Sequence, residues 1–215
     1  MNLTGAVALT ATAVVALVLS ERSGSQRGVA LSKSLASLGF IATALAAGAL
    51  ESGYGVTVLV GLVSCALGDV LLIPRGAGKA FLAGMASFAL GHAAYAAAFL
   101  QRGIERNAAA ATLIAMAAVT FFTLRWLASH LPRDMSIPIR VYIVIISVMV
   151  ALAVGASSAA GEPWMAAGAI AFALSDLSVA RERFVQPAFL NLLWGLPLYY
   201  AAQITLALTV KLTMA

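Results

Sequence analysis

The stretch that decides the fold is Gly61-Leu-Val-Ser-Cys-Ala-Leu-Gly-Asp69-Val-Leu-Leu-Ile73, an apolar run interrupted near its end by one carboxylate. A charge in hydrocarbon is costly, so an acid in such a run belongs in the interior of a helix bundle and marks function by default. A second stretch, Ala167-Gly-Ala-Ile-Ala-Phe-Ala-Leu-Ser-Asp176, has the same grammar of small and apolar residues closed by an acid. The remainder of the chain reads as the scaffold that brings Asp69 and Asp176 together.

Composition sets the class. Of the 215 residues, 62% are apolar and 10% charged, against about 45–50% and about 25% in soluble domains. The apolar runs match the roughly 20 residues needed to cross a bilayer core of about 30 Å. Their continuity excludes the alternating pattern of a membrane barrel. The expected architecture is all-α: a polytopic membrane helical bundle of about eight transmembrane helices, forming a single domain over residues 1–215. The lone Cys65 allows no internal disulfide and reads as a small packing residue. The net charge of +5 reads as cytoplasmic loops and lipid phosphates, with no call for nucleic acid.

In chain order the expected spans are Leu3 to Ser20 (a retained helix), Ser34 to Leu50, Val56 to Ile73 and Lys79 to Leu100. Four more follow at Ala108 to Leu127, Ile139 to Ser157, Pro163 to Ala180 and Pro187 to Val210. Residues 21–33 read as a Ser/Gly/Arg loop, and 128–138 as a polar link carrying His130, Arg133 and Asp134. Eight spans gather ten basic residues on one side: Arg22, Arg27, Lys33, Arg75, Lys79, Arg125, Arg133, Arg140, Arg181 and Arg183. The other side holds three, Arg102, Arg106 and Lys211. The positive-inside rule then makes the richer side cytoplasmic and puts both termini outside, in the inner membrane of a cell. Asp69 and Asp176 fall at similar depth, 107 residues apart. The same offset carries Lys33 onto Arg140 and His92 onto Tyr199, which suggests two four-helix halves in parallel repeat.

Two close carboxylates in low dielectric do not both ionise easily, so the pair can hold one proton and supply a general acid and a base together. The plainer reading is that each acid caps a helix or pairs with a basic residue. His92 and Tyr95 share a face of the fourth span at i and i+3. With His130 the only other histidine and in a loop, a zinc site is not expected. Asn191, Tyr199 and Gln203 follow one stripe of the eighth span, beside Tyr200 and Trp194. Pro197 interrupts that helix and frees backbone carbonyls. Lys33, Arg181 and Arg183 stand at the cytoplasmic edge, where they serve the positive-inside signal or meet a phosphate. Glu182 lies beside the two arginines, placed to modulate them.

Gly68-Asp-Val-Leu-Leu72, His92-Ala-Ala-Tyr95, Ser175-Asp176 with Ala180 and Phe184, and Tyr199-Tyr200 with Gln203 together resemble the YhhN-like lysoplasmalogenase family of integral membrane proteins. The similarity runs from Lys33 to about Leu206. Ser34, where the family often has Pro, and Val179, where Leu is common, depart from it. The resemblance implies hydrolysis of the vinyl ether bond of a lysophospholipid, with Asp69 and Asp176 as catalytic acid and base in unassigned order. His92, Tyr95, Tyr199, Tyr200, Gln203 and Asn191 would bind substrate and water, Lys33 and Arg183 would meet the phosphate, and no metal or organic cofactor is needed. A proton-coupled transporter or lipid flippase uses similar intramembrane acids, whereas a non-catalytic lipid sensor or membrane scaffold would not depend on them.

Overall fold

The computed structural model of the chain describes residues 2–74 and 78–212, apart from the side chain of Leu212. Arg75 of the charge count lies outside the described residues. Among the described residues, eight α-helices follow one another: α1 (Leu3–Ser23), α2 (Gln26–Ala46), α3 (Gly53–Leu71), α4 (Lys79–Leu100), α5 (Arg106–Leu127), α6 (Ser136–Ala160), α7 (Trp164–Ala180) and α8 (Phe189–Leu212). Short 3-10 turns stand at Ala49–Glu51 and Arg133–Met135, and a π turn at Arg181–Val185. Among the described residues there is no strand, as expected where every backbone group must be paired within its own segment. All the helices but α7 are long and apolar enough to cross a membrane. The 17 residues of α7 run on directly into the π turn. The chain is an integral, multi-pass membrane protein.

One sequence expectation is corrected. Residues 21–33 are not a loop: α1 continues to Ser23 and α2 begins at Gln26. Gly24, at φ 71°, closes α1 in the left-handed conformation that glycine tolerates, and Ser25 caps α2 by accepting the Gly28 N–H. The Arg, Ser and Gln residues of this stretch are polar helix ends, which composition alone does not tell from a loop. Lys33 is therefore a helical residue, seven positions after the start of α2, or about 10 Å along its axis.

Helices α3 and α4 meet through small residues, which permit close approach where hydrocarbon gives helices no hydrophobic drive to associate. A Cβ on Gly61 would lie 2.5 Å from the Tyr95 ring, one on Gly68 would lie 2.7 Å from the Phe88 ring, and one on Gly91 would lie 2.6 Å from Cys65 Sγ. Cys65 is fully buried in this seam, the packing role read for it. The seam fixes where α3 presents Asp69.

Moving four helices along the chain carries the contacts α1–α2, α2–α3, α3–α4 and α4–α6 onto α5–α6, α6–α7, α7–α8 and α8–α2. All eight contacts are present. The contacts α1–α8 and α3–α8 break the correspondence, since α5–α4 and α7–α4 do not match them, and α5 rests chiefly on α6 and buries only Leu127. The outer face of α5 shows Ile114, Phe121 and Phe122 to the surroundings, as a lipid-facing helix does. Pro197 lies inside α8, which runs through it without a break in its assigned helix.

Candidate active site

The two acids sit on the walls of one cavity of about 740 Å³. Its floor is polar, with Asp69, Asp176, Tyr142 and Tyr199, while α5, α6 and α7 supply an apolar wall that includes Met116, Val119, Ile146 and Leu174. Lys33 and Arg183 also line it, with Glu21 and Glu182.

Asp69 is 2% exposed and surrounded by donors. Lys33 Nζ stands 3.6 Å from Oδ1, while Ser37 Oγ and Tyr199 OH donate to Oδ2 at 2.7 and 2.8 Å. Behind Tyr199 the hydrogen bonds continue in one direction. Tyr95 OH donates to Gln203 Oε1 at 2.7 Å, and Gln203 Nε2 donates to Tyr199 OH at 3.0 Å. Tyr200 OH lies 3.5 Å from Ser37 Oγ and donates to the Lys33 carbonyl at 3.4 Å, bracing the same turn of α2.

Asp176 has a different environment. Its side chain is 18% exposed. Tyr142 OH donates to Oδ2 at 3.2 Å, and His92 Nε2 lies 3.4 Å from the same oxygen. His92 is fully buried, with Nε2 also 3.1 Å from Tyr142 OH and Nδ1 3.3 Å from Met149 Sδ.

The 107-residue offset thus has a structural counterpart. Asp69 with Tyr199 corresponds to Asp176 with His92, each acid taking its partner from the other half of the chain. No direct hydrogen bond joins the two carboxylates among the described residues. Between their partners stands the ring of Phe172, 5.3 Å from Tyr199 and 4.4 Å from His92. The acids face one space with separate donor sets.

The other residues singled out in the sequence divide into two layers. Lys33, Arg183 and Tyr199 reach the cavity wall, whereas His92, Tyr95, Tyr200 and Gln203 lie behind it and hold the wall in place. Arg183 Nη2 donates to the Leu72 carbonyl at 3.1 Å and its guanidinium stacks over Phe81, tying the π turn to the end of α3. Asn191 is away from the cavity. Its amide donates to Glu182 Oε2 and to the Gln186 carbonyl, both at 2.8 Å, while Ser178 donates to its own carbonyl. Glu182 also accepts the Ala188 N–H at 2.8 Å, so it secures the start of α8. Two residues of the site were not singled out, Tyr142 and Ser37. Tyr142 is a phenol in the otherwise apolar sixth span, and Ser37 is one helical turn from Lys33; both signals were present. Among the described residues, no three His, Cys, Asp or Glu side chains cluster as metal ligands.

The model of the YhhN family matches residues 28–210. The chain belongs to the YhhN family. Asp69, Asp176 and their partners, from Lys33 to Gln203, fall within the matched range. This YhhN protein is 32% identical over 158 residues to a lysoplasmalogenase, TMEM86A, of Bos taurus, covering 71% of this chain and 64% of the relative. It is 34% identical over 163 residues to the human lysoplasmalogenase TMEM86B, covering 74% and 65%. A lysoplasmalogenase of Mycobacterium bovis is 35% identical over 130 residues, covering 58% of this chain and 48% of the relative. The chain spans less than two-thirds of the length of these curated relatives. No solved structure matches it.

Proposed function

We propose that this YhhN protein is a lysoplasmalogenase-like hydrolase, cleaving the vinyl ether bond of a lyso-ether phospholipid to a fatty aldehyde and a glycerophospho-alcohol. The observation that carries this is the pair Asp69 and Asp176 on the wall of a single, otherwise largely apolar cavity within the bundle. The relatives named lysoplasmalogenase support the same reading.

Vinyl ethers hydrolyse by protonation of the β-carbon, which leaves an oxocarbenium ion for water to attack. The reaction needs an acid, a carboxylate facing the cation, and shelter from bulk water. The apolar wall formed by α5, α6 and α7 suits one long apolar chain, and Lys33 and Arg183 are the cations on the cavity wall for a phosphate to meet. The orientation that follows from the positive-inside rule puts both termini outside and the Lys33 end of the cavity on the cytoplasmic side, in the inner membrane. The protein purified in detergent should release aldehyde from a 1-alkenyl lysophospholipid, and Asp69→Asn and Asp176→Asn should each abolish release while the protein stays folded. A transporter would release none in detergent, because transport needs a sealed compartment.

A further inference from the structure

Resting on the hydrolase reading, we infer that the substrate's alkenyl chain enters sideways between α5 and α7. Val119 and Ile170 then divide it into a part enclosed beside the acids and a tail that stays in the surrounding lipid.

The cavity is graded along its length. Glu21, Glu182 and Arg183 line it from the last turn of α1 and from the π turn, on one side of the two acids. In the other direction α5, α6 and α7 contribute apolar and hydroxyl side chains and no charge. Two of those hydroxyls are engaged by the helices themselves. Ser147 donates to the Ile143 carbonyl at 2.8 Å and stands 3.0 Å from Thr120 Oγ1. A polar head group therefore belongs at the charged end and a hydrocarbon chain at the other.

Heights along the helices locate the opening. Tyr142 donates to Asp176, so α6 and α7 are level there. Ser147 is five positions further along α6, about 7.5 Å from that level. Its contact with Thr120 puts the preceding residue of α5, Val119, about 9 Å from it. Ile170, six positions back along α7 from Asp176, is also about 9 Å away. Val119 and Ile170 line the cavity and yet are 47% and 42% exposed, whereas Ile146 and Val150 of α6 line it and are buried. Both α5 and α7 pack on α6. Val119 and Ile170 are thus the rim of an opening whose back is α6.

Beyond the rim the helices close on one another. Glu105 N–H donates to the Gly155 carbonyl at 3.0 Å, and a Cβ on Gly155 would stand 2.9 Å from Ala109 Cβ, which seals α5 against α6. A Cβ on Gly168 would stand 2.7 Å from Leu206 Cδ2, which seals α7 against α8. A chain that starts at the acids and follows α6 meets these closed seams and leaves over the rim. An extended chain gains about 3.3–3.6 Å for every three bonds, so the stretch of about 9 Å holds roughly eight carbon–carbon bonds. Methylenes further out lie in hydrocarbon, where moving from lipid to protein gains little.

A hexenyl chain ends short of the rim and a hexadecenyl chain crosses it, which gives the test. The purified full chain is assayed for aldehyde release from 1-hexenyl- and 1-hexadecenyl-glycero-3-phosphocholine in mixed micelles. The readout is the preference, kcat/KM for hexadecenyl over kcat/KM for hexenyl, in each variant relative to wild type, so that partitioning into micelles cancels. Val119→Trp and Ile170→Trp crowd the rim and should each lower the preference by about tenfold, on the scale of overpacking. Wild type should treat dodecenyl and octadecenyl chains alike at equal mole fraction, because they differ only in the part left in lipid. The inference is overturned if folded Val119→Trp and Ile170→Trp keep the wild-type preference. It is also overturned if wild type discriminates between dodecenyl and octadecenyl chains, as a fully enclosed chain requires. Val119→Phe and Ile170→Phe keep the test open should either Trp variant fail to fold. A folded wild type that makes no aldehyde from any of these chains overturns the hydrolase reading itself, a result distinct from a misplaced entrance.

Discussion

Replacing Lys33 with Met asks whether the ion pair with Asp69 is part of what holds α2 against α3. The pair is close, 3.6 Å, and sheltered, with Lys33 and Asp69 side chains 13% and 3% exposed. Removing one partner of a buried pair costs about 3–5 kcal/mol, because the other charge is left without compensation. Ser37 and Tyr199 still donate to Asp69 in the variant, so the lower end, about 3 kcal/mol, is expected. Adding Asp69→Asn removes the stranded charge and should recover about 2 kcal/mol, a coupling of the size seen between residues in contact. Unfolding in mixed micelles, followed by helical signal against denaturing detergent, reads both numbers. A Lys33→Met protein as stable as wild type, or a double variant no more stable than the single one, would refute the pairing argument.

Other consequences follow from the same contacts. Gly68→Ala puts a methyl 2.7 Å from the Phe88 ring and should cost about 1–3 kcal/mol by overpacking, read in the same unfolding assay. Gly195→Ala brings a Cβ onto the Ser178 side chain, whose own Cβ would be 2.5 Å away; it should destabilise the α7–α8 contact, and Ser178→Gly in the same chain should restore it. Glu182→Gln weakens an acceptor shared by the Ala188 N–H and Asn191. It should lower stability by about 1 kcal/mol, as loss of a helix cap does, read in the same unfolding assay.

The outline of the bundle was legible because hydrocarbon leaves the chain little choice. Long apolar runs must be helices, and Lys79–Leu100 in the structure has the very ends read from the sequence. Helix ends near polar residues were not, since Glu21, Arg22 and Gln26 suit a protruding helix end as well as a loop. That misreading hid the depth of Lys33, and with it the partnership of Lys33 and Ser37 with Asp69. The two acids stood out because an intramembrane carboxylate has few bland explanations. Asn191 stood out by sharing a stripe with Tyr199 and Gln203, yet it bonds Glu182 and the Gln186 carbonyl at the π turn, a fold irregularity that no spacing rule reveals. Tyr142 was overlooked because a tyrosine in a span also suits a membrane interface or simple packing. Only its position between His92 and Asp176 distinguishes it.

The most direct test of the central claim is the isotopic composition of the aldehyde made in deuterated water and reduced at once to the alcohol, so that later exchange is blocked. Protonation of a vinyl ether carbon predicts one deuterium on the carbon next to the former carbonyl, in a product whose formation depends on Asp69 and Asp176. Aldehyde without that deuterium would contradict acid-initiated cleavage of the vinyl ether and, with it, the role given to the two acids.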